Sequence, residues 1–225
     1  MDAIVDPDGE STPQLRDWKT WFAGYDEPDS PLVQRLAVVQ SGIRRALDEA
    51  PAGSIKILSL CAGEGRDLIP VLAKHPRRAE VRARLIEFDP VIARVAQDAA
   101  TAAGLDGTVD VVTGDAADPA LFGDYAPADL LLLCGIFGNI TEADIQNTAT
   151  RAANLTARGG TAIWTRHRFD PAVIPRIQRW FAAAGFSSLW ESDSELPTTV
   201  YVAGNRQERD PDPLPDDKKL FTFVK

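Results

Sequence analysis

Two glycines between an apolar run and a helical pattern are the first residues whose spacing suggests chemistry. Gly63 and Gly65 lie in the sequence LSLCAGEGRDL, residues 58–68. Because glycine lacks Cβ, the backbone there can turn sharply and approach a ligand closely. A helix expected to start near Arg66 would direct its free N–H groups toward the same space. This arrangement favours nucleotide binding, although a tight turn without a ligand has the same appearance.

Acidic residues at the ends of the next two apolar runs stand where a nucleotide needs hydrogen-bond acceptors. Glu87 lies near the end of the second run, 24 residues after Gly63, and a carboxylate there can accept hydrogen bonds from ribose hydroxyls. Asp89 is the neighbouring alternative, but its position before Pro90 favours a helix N-cap. Asp115 follows the third run, where it either accepts a hydrogen bond from an adenine amine or is a solvated turn residue.

The loop after the fourth apolar run also carries glycines. Cys134 ends that run, and Gly135 and Gly138 follow it in the sequence LLLCGIFGNI. Glycines in such a position indicate that the loop passes close to backbone or to a ligand. Four candidate features therefore follow four predicted strands in order.

A parallel sheet is needed to bring these residues together. Short apolar runs alternate with helical patterns from residue 55 onward, which predicts βαβ units and a sheet covered on both faces. The strand candidates are IKILSL (55–60), ARLIEF (83–88), TVDVVT (108–113), DLLLLC (129–134) and GTAIWT (160–165), and the helix candidates are Arg66–Lys74, Pro90–Ala103, Thr141–Thr156 and Pro171–Ala184. Three late runs, FSSLWE, TTVYVAG and KLFTFV, are expected to form an antiparallel edge. We expect one α/β domain over residues 51–225, preceded by a tail and helical cap over residues 1–50.

This succession of motifs resembles the class I S-adenosylmethionine-dependent methyltransferases over residues 55–190. The segments SLCAGEGRDL, LCGIFGNIT and WTRHR are similar to a bacterial branch of that family, and this likeness does not identify the acceptor. The resemblance implies a Rossmann-like, doubly wound, mostly parallel sheet of seven strands, with S-adenosylmethionine as cofactor and S-adenosylhomocysteine as product. It also implies donor-binding roles for Cys61, Ala62, Gly63, Glu64 and Gly65 around the methionine, Glu87 at the ribose, Phe88, Asp115 and Ala116 at the adenine, and Cys134 and Gly135 at the end of the fourth strand.

A nicotinamide-dependent oxidoreductase on the same sheet is the main alternative. Dinucleotide binding favours a third small residue in the glycine turn, which allows close packing around the pyrophosphate. Leu68 occupies that position here, and Asp67 would repel a pyrophosphate. The methyl donor carries a sulfonium and an amino group, so the charge of Asp67 favours it over NAD(P). A non-catalytic S-adenosylmethionine-binding protein is the third hypothesis.

Residues after the fourth and fifth runs are candidates for the acceptor side. Methyl transfer from a sulfonium is an in-line displacement that mainly requires positioning and exclusion of water. His167 is either a base or a surface histidine between Arg166 and Arg168, and these arginines are suited to orient an acidic acceptor. Asn139 is a second catalytic candidate, because some methyltransferases use an asparagine there within an N-P-P-Y type motif. The sequence here is GNIT, so Asn139 alternatively orders the loop.

Aromatic residues are concentrated in the N-terminal segment. Trp18, Trp21, Phe22 and Tyr25 fall within eight residues. They predict either a lid with an aromatic inner face or side chains that pack helices onto the sheet. Tyr25 or Arg35 is expected to contact the donor or the acceptor.

Composition limits the class of partner and the compartment. The net charge of −9 argues against a nucleic-acid partner, because phosphate backbones are bound mainly through Lys and Arg. No apolar run reaches the length of a membrane span, and the acidic start lacks the layout of a secretory signal. A cytoplasmic location and a small-molecule acceptor are therefore expected. The two cysteines are expected to be free thiols, His75 to be a surface cap at a helix end, and no metal-ligand spacing is visible.

Overall fold

A seven-stranded sheet forms the centre of the computed structural model, which describes residues 23–170, 172–194, 196–197, 200–215 and 219–224. In chain order the strands are β1 (Ile55–Leu60), β2 (Val81–Glu87), β3 (Val109–Thr113), β4 (Ala128–Leu133), β5 (Thr156–Arg166), β6 (Phe186–Glu191) and β7 (Tyr201–Gln207). Their order across the sheet is β3-β2-β1-β4-β5-β7-β6. The first five strands are parallel, and β7 is antiparallel to both β5 and β6. The predicted Rossmann-like, mostly parallel sheet is confirmed.

Helices cover both faces of this sheet. They are α1 (Pro31–Glu49), α2 (Ile69–Leu72), α3 (Pro90–Ala102), α4 (Glu142–Leu155) and α5 (Val173–Ala183). Buried side chains of α1, α2 and α3 pack on one face in a single apolar core, and those of α4 and α5 pack on the other. In the second core the rings of Trp164 and Phe181 stack, with centroids 5.7 Å apart. Coverage of both faces explains why the central strands are continuous apolar runs.

Helix α1 begins where the sequence signals a helix start. Ser30 caps it by accepting a hydrogen bond from the Val33 N–H (3.2 Å). Its buried residues Val39, Ile43 and Leu47 recur at helical spacing and join the same core as β1. Because α1 ends just before β1, it runs against the parallel strands and starts at their carboxyl ends.

The expected lid residues Trp18, Trp21 and Phe22 lie outside the described residues, together with the rest of residues 1–22. No helix in the described part of the chain is long and apolar enough to cross a membrane.

The helix expected from Arg66 is wrong in its start and its length. It begins at Ile69 and has a single turn, because the chain continues through tight turns as far as Leu68. A helix this short has no extended row of free N–H groups to direct at a ligand. The glycine loop itself must therefore form that part of the site.

Two further expectations are wrong. The run KLFTFV does not form an edge strand, since β6 and β7 form that side of the sheet; within the described residues the run pairs through one isolated bridge, between Phe223 and Ile140. His75 is buried and is not a surface cap. Its Nε2 lies 3.2 Å from the Asp48 carboxylate, and its Nδ1 accepts a hydrogen bond from the Arg77 N–H. These side chains meet through packing that a local pattern does not reveal.

Candidate functional site

A loop of left-handed residues connects β1 to α2 at the carboxyl edge of the sheet. Cys61, Gly63 and Gly65 have φ angles of 55°, 58° and 71°. The Ala62 N–H donates to the Ile86 carbonyl (2.9 Å), and the Gly65 N–H donates to the Ala62 carbonyl (3.0 Å). The loop thus turns back toward the end of β2, as the glycine spacing predicted.

Two glycines at this edge have different structural roles. A Cβ on Gly65 would overlap the Ile69 side chain and lie 3.1 Å from Leu85 Cδ2, so glycine is required there by packing as well as by φ. Gly135, after β4, has a φ of 79°, and a Cβ there would have no neighbour within 4 Å. Gly65 closes the loop onto the core, whereas Gly135 borders open space.

Glu87 ties the end of β2 to the glycine loop. One of its carboxylate oxygens accepts a hydrogen bond from the Gly63 N–H (2.9 Å), and the other accepts one from the Asp89 N–H (3.0 Å). Burial raises the pKa of Glu87, and these backbone hydrogen bonds oppose the shift. Asp89 in turn accepts a hydrogen bond from the Val91 N–H (2.7 Å) and caps α3. The interpretation of Asp89 as an N-cap is confirmed.

The predicted adenine residues lie beside Glu87. Phe88 is 70% exposed, and Ala116 is buried in the core. Asp115 accepts a hydrogen bond from the Ala117 N–H (3.0 Å) and forms an ion pair with Lys219 (2.7 Å). Burial raises the pKa of the Cys61 thiol, and the nearby charges of Glu87 and Asp115 raise it further. The residues after β1, β2 and β3 therefore form one group.

A second group lies next to the glycine loop, at the start of α1. The Arg35 guanidinium donates a hydrogen bond to the Tyr25 hydroxyl, and Arg35 is buried. Burial raises the pKa of Asp67, while the Arg35 charge and a hydrogen bond with the Cys134 thiol lower it. Burial also raises the pKa of Tyr25 to about 12, so its phenol is neutral. The predicted pair Tyr25 and Arg35 thus lies at the same edge as Asp67.

Glu64 is engaged locally. Its carboxylate forms an ion pair with the Arg66 guanidinium, which also lies 5.1 Å from the Tyr25 ring centroid. This contact connects the glycine loop to the segment before α1.

The loop after β4 is held by hydrogen bonds from its own residues. The Gly135 N–H donates to Thr165 Oγ1 (2.8 Å), and Asn139 Nδ2 donates to the Gly135 carbonyl (2.7 Å). The Asn139 N–H donates to the Ile136 carbonyl (2.9 Å), and its Oδ1 is buried without a hydrogen-bond partner among the described residues. These contacts favour the interpretation that Asn139 orders the loop.

A third group lies at the last residue of β5 and just after it. The Arg166 guanidinium donates to the Phe137 carbonyl, and burial lowers the pKa of Arg166. The His167 ring lies 4.7 Å from the Phe169 ring, between centroids, and Phe169 is 65% exposed. His167 Cδ2 would lie 3.7 Å from a Cβ on Gly138. The fourth and fifth strands therefore bring Gly138 and His167 together, as their positions after parallel strands predicted.

The C-terminal segment, residues 219–224, was not predicted to be part of the site. Its Leu220 N–H donates to the Ala117 carbonyl (3.0 Å), and its Val224 N–H donates to the Asn139 carbonyl (2.9 Å). It thereby joins the loop after β3 to the loop after β4. The run is as apolar as a strand, and nothing local in it distinguishes the two roles.

Both cysteines are free thiols, Cys134 buried and Cys61 half-buried. Among the described residues, no three His, Cys, Asp or Glu side chains are grouped so as to hold a metal ion.

Solved structures of low sequence identity share this fold. Magnesium protoporphyrin IX methyltransferase from Synechocystis PCC 6803, solved with bound S-adenosylmethionine, is 14% identical with a TM-score of 0.64, covering 85% of this chain and 91% of that one. An O-methyltransferase family protein from Burkholderia thailandensis is 17% identical with a TM-score of 0.58, covering 84% of this chain, which spans only 62% of that protein. An O-methyltransferase family 2 protein from Planctomyces limnophilus DSM 3776, solved in complex with apigenin, is 15% identical with a TM-score of 0.56, covering 84% of this chain and 68% of that one.

Sequence comparison identifies the family. A search of curated proteins found no matching sequence. A family model with the description "Putative methyltransferase" matches residues 32–183, which include α1 and all elements of the candidate site from the glycine loop to the residues after β5. The match covers more than half of the chain and agrees with the resemblance derived from the motifs. The chain belongs to this methyltransferase family.

Proposed function

We propose that the protein transfers a methyl group from S-adenosylmethionine to a small-molecule acceptor. The observation that carries the proposal is the group formed by the glycine loop, Glu87 and Asp115 at one edge of the sheet. The Synechocystis protein binds S-adenosylmethionine and the Planctomyces protein binds apigenin, and both have this fold. Family membership and these neighbours support S-adenosylmethionine as the donor and a small molecule as the acceptor of this protein.

The donor-side residues fit an adenosine group. The Glu87 carboxylate has about four acceptor sites and accepts backbone hydrogen bonds from Gly63, Asp89 and Phe88, which leaves capacity for a ribose hydroxyl. The exposed Phe88 side chain offers a flat apolar surface for a purine. When bound, S-adenosylmethionine supplies an electrophilic methyl group on its sulfonium. The NAD(P) alternative fits less well, since Leu68 fills the turn and is buried in the core.

The second group suits the methionine end of the donor. We infer that the Asp67 carboxylate binds the amino group and the Arg35 guanidinium binds the carboxylate, with Tyr25 holding Arg35 in place. Arg35→Met should then weaken S-adenosylhomocysteine binding while leaving adenosine binding unchanged. Equal loss for both ligands, measured by titration calorimetry, would remove Arg35 from the methionine site.

The position of the third group at the carboxyl edge supports a role on the acceptor side. We propose that His167 accepts the proton that an O–H or N–H acceptor releases, and that Asn139 keeps the loop after β4 in position. Loss of the acidic limb of the pH–rate profile in His167→Gln is the measurement that tests this role. A profile unchanged from wild type would show that His167 carries no proton in the reaction.

Ligand binding tests the donor assignment directly. A ligand that binds the folded state raises the melting temperature, and about a hundredfold excess over Kd adds about 2.7 kcal/mol. We expect S-adenosylhomocysteine to stabilise the protein and NAD to have no effect. Stabilisation by NAD alone would overturn the proposal.

Catalysis and mere binding need a separate experiment. Transfer of a radiolabelled methyl group from S-adenosylmethionine to pools of small acceptors distinguishes an enzyme from a non-catalytic binding protein.

From the net charge of −9 and the free thiols, we also propose a cytoplasmic protein without a nucleic-acid partner.

A further inference from the structure

Two arginines, Arg166 at the end of β5 and Arg168 just after it, keep donor groups that nothing in the described chain accepts. Arg166 donates through one Nη to the Phe137 carbonyl, but its Nε is buried without a hydrogen-bond partner among the described residues. Arg168 donates to the Ser192 carbonyl (3.0 Å) and hydroxyl (3.2 Å), and its Nη1 is likewise buried without an acceptor within that part of the chain. Buried N–H donors are rarely left unsatisfied, because each costs the free energy of its lost hydration.

The nearby carboxylates are already engaged elsewhere. Glu142 forms an ion pair with Arg176 (2.6 Å), and Asp170 lies 3.7 Å from the same guanidinium. Glu191 accepts a hydrogen bond from the Tyr201 hydroxyl (2.6 Å). In the described part of the chain, none of these three carboxylates forms a hydrogen bond or a close ion pair with Arg166 or Arg168. Burial lowers the pKa of Arg166, and the charges of Asp170 and Glu142 oppose that shift without meeting the free Nε donor.

The position of the two arginines connects them to the acceptor side. Arg166 reaches the loop after β4 at Phe137, and the next residue of that loop, Gly138, borders His167. Arg168 lies over the Tyr201 ring, 5.2 Å from its centroid, at the carboxyl edge where β7 begins. Phe169 adds an exposed apolar ring beside His167. Two guanidinium groups with free donors and an exposed aromatic ring therefore lie within four residues of one another at the carboxyl edge of the sheet.

We propose that Arg166 and Arg168 bind a carboxylate of the acceptor, so that the acceptor is a small carboxylic acid whose body lies against Phe169. This inference rests on the proposed function. A guanidinium matches the planar geometry of a carboxylate with paired N–H donors. A phosphate would bring a second negative charge into a protein whose net charge is already −9, so a carboxylate is favoured.

Matched ligands that differ only in charge test the inference. The protein is first saturated with S-adenosylhomocysteine, and binding is measured by calorimetry and thermal shift. The probes are benzoate, para-hydroxybenzoate, cinnamate and succinate, each beside its primary amide, and inorganic phosphate. We expect at least one carboxylate to bind about tenfold or more tightly than its amide, as charge-assisted hydrogen bonds predict. Equal binding of acid and amide, binding of phosphate alone, or no binding of any carboxylate would overturn the inference.

Variants assign the effect to the two arginines. Arg166→Met and Arg168→Met should each remove the preference for the carboxylate and leave S-adenosylhomocysteine affinity unchanged. Arg158→Met is the matched control, because Arg158 lies at the opposite end of β5, is 65% exposed and pairs with Asp210. Arg166→Gln and Arg168→Gln replace any methionine variant that melts early. A preference retained in the arginine variants, or lost in Arg158→Met, contradicts the assignment.

The two proposals fail in different ways. If wild-type protein does not bind S-adenosylhomocysteine, the proposed function itself is wrong. If the ligand binds and the acids show no advantage over the amides, only the carboxylate inference is wrong.

Discussion

Glu87 connects two segments that the sequence separates by a whole helix and strand. Its two oxygens accept hydrogen bonds from the N–H groups of Gly63 and Asp89. The glycine loop and the start of α3 are thereby held at fixed positions around the end of β2. Under the proposed function the same carboxylate also binds the ribose. A change at this residue should therefore affect the donor more than a change at the neighbouring acid.

We expect Glu87→Ala to weaken S-adenosylhomocysteine binding by about tenfold to a hundredfold, because charge-assisted hydrogen bonds are lost. Asp89→Ala should remove the N-cap of α3, costing about 1 kcal/mol of unfolding free energy, with little effect on ligand binding. Calorimetric titration and thermal unfolding of both variants measure the two effects. The reverse order of the two ligand affinities would show that the ribose contact is assigned to the wrong acid.

The raised pKa of Glu87 also predicts a pH effect on stability. A carboxyl group with a higher pKa in the folded state than in the unfolded state binds more protons when folded, so the protein gains stability as pH falls through the folded-state pKa toward the lower unfolded-state pKa. The unfolding free energy of the wild type should therefore rise relative to that of Glu87→Gln as pH falls through this range. Denaturant unfolding at several pH values, without ligand, measures the difference. A difference that stays constant with pH would contradict the shift.

The glycine loop acts as an element in its own right, because α2 has only one turn and begins after it. Two features favour glycine at position 65: its φ is positive, and the Ile69 side chain occupies the space that a Cβ would take. Gly104 has a similar φ of 65° but no neighbour within 4 Å of a Cβ, so it separates the two requirements.

We expect Gly65→Ala to destabilise the protein more than Gly104→Ala. Both variants carry the strain of a left-handed side chain, about 1–2 kcal/mol, and only Gly65→Ala adds about 1–3 kcal/mol of overpacking. Thermal unfolding compares them, and S-adenosylhomocysteine titration should show a loss of affinity for Gly65→Ala only. Similar melting temperatures for the two variants would mean that the glycine loop accommodates the added Cβ without further loss of stability.

The C-terminal segment, residues 219–224, fastens two loops of the site across the ends of β3 and β4. Leu220 is fully buried, and its carbonyl accepts hydrogen bonds from Asn147 (2.8 Å) and Thr148 (3.2 Å) of α4. The Lys219–Asp115 ion pair is largely exposed, so its net stabilising contribution is small. Phe221 is buried in the same core, so apolar contacts of Leu220 and Phe221, with the hydrogen bonds to α4, are the main attachment of this segment.

Leu220→Ala should lower the unfolding free energy by about 2–5 kcal/mol and weaken S-adenosylhomocysteine binding, because the Asp115 loop loses its support. Val224→Ala, which changes a side chain that is 44% exposed, should have little effect on either quantity. Unfolding and titration of the two variants test this together. An unchanged ligand affinity in Leu220→Ala would separate the segment from the donor site.

At the scale of the whole molecule, the net charge of −9 acts on any charged ligand. S-adenosylmethionine carries one more positive charge than S-adenosylhomocysteine, since only the former has a sulfonium. The field of an acidic protein favours the cation, and salt screens that field over a distance of about 10 Å at about 0.1 M.

Raising the salt concentration from about 10 mM to about 300 mM should therefore weaken S-adenosylmethionine binding more than S-adenosylhomocysteine binding. The product is the matched control, because it lacks only the methyl group and its charge. For each ligand, calorimetric titration gives the ratio of its dissociation constants at the two salt concentrations. Equal ratios for the two ligands would show that the overall charge of the protein does not affect binding at the site.

Most of the donor side could be predicted from the sequence. Glu87 ends a strand, and Gly63, Asp115 and Gly135 each follow one; the carboxyl ends of parallel strands meet at one edge whatever the details of packing. The predicted start of the helix after Gly65 was wrong, because a series of tight turns and the first turn of a helix have similar sequences where glycines precede an apolar stretch. From the sequence, Asn139 was either a catalytic residue or one that orders the loop, and its hydrogen bond to the Gly135 carbonyl favours the second role.

The sequence by itself determined the alternation of strands and helices and therefore the edge at which the candidate residues meet, because periodicity and turn residues act locally. Only the tertiary structure decided the contacts between distant segments. Lys219 meets Asp115 across 104 residues, and the apolar run that contains Leu220 covers two loops and adds no strand to the sheet. An apolar run predicts that a segment will be buried. Its place of burial depends on which apolar surface remains uncovered after the rest of the chain has packed.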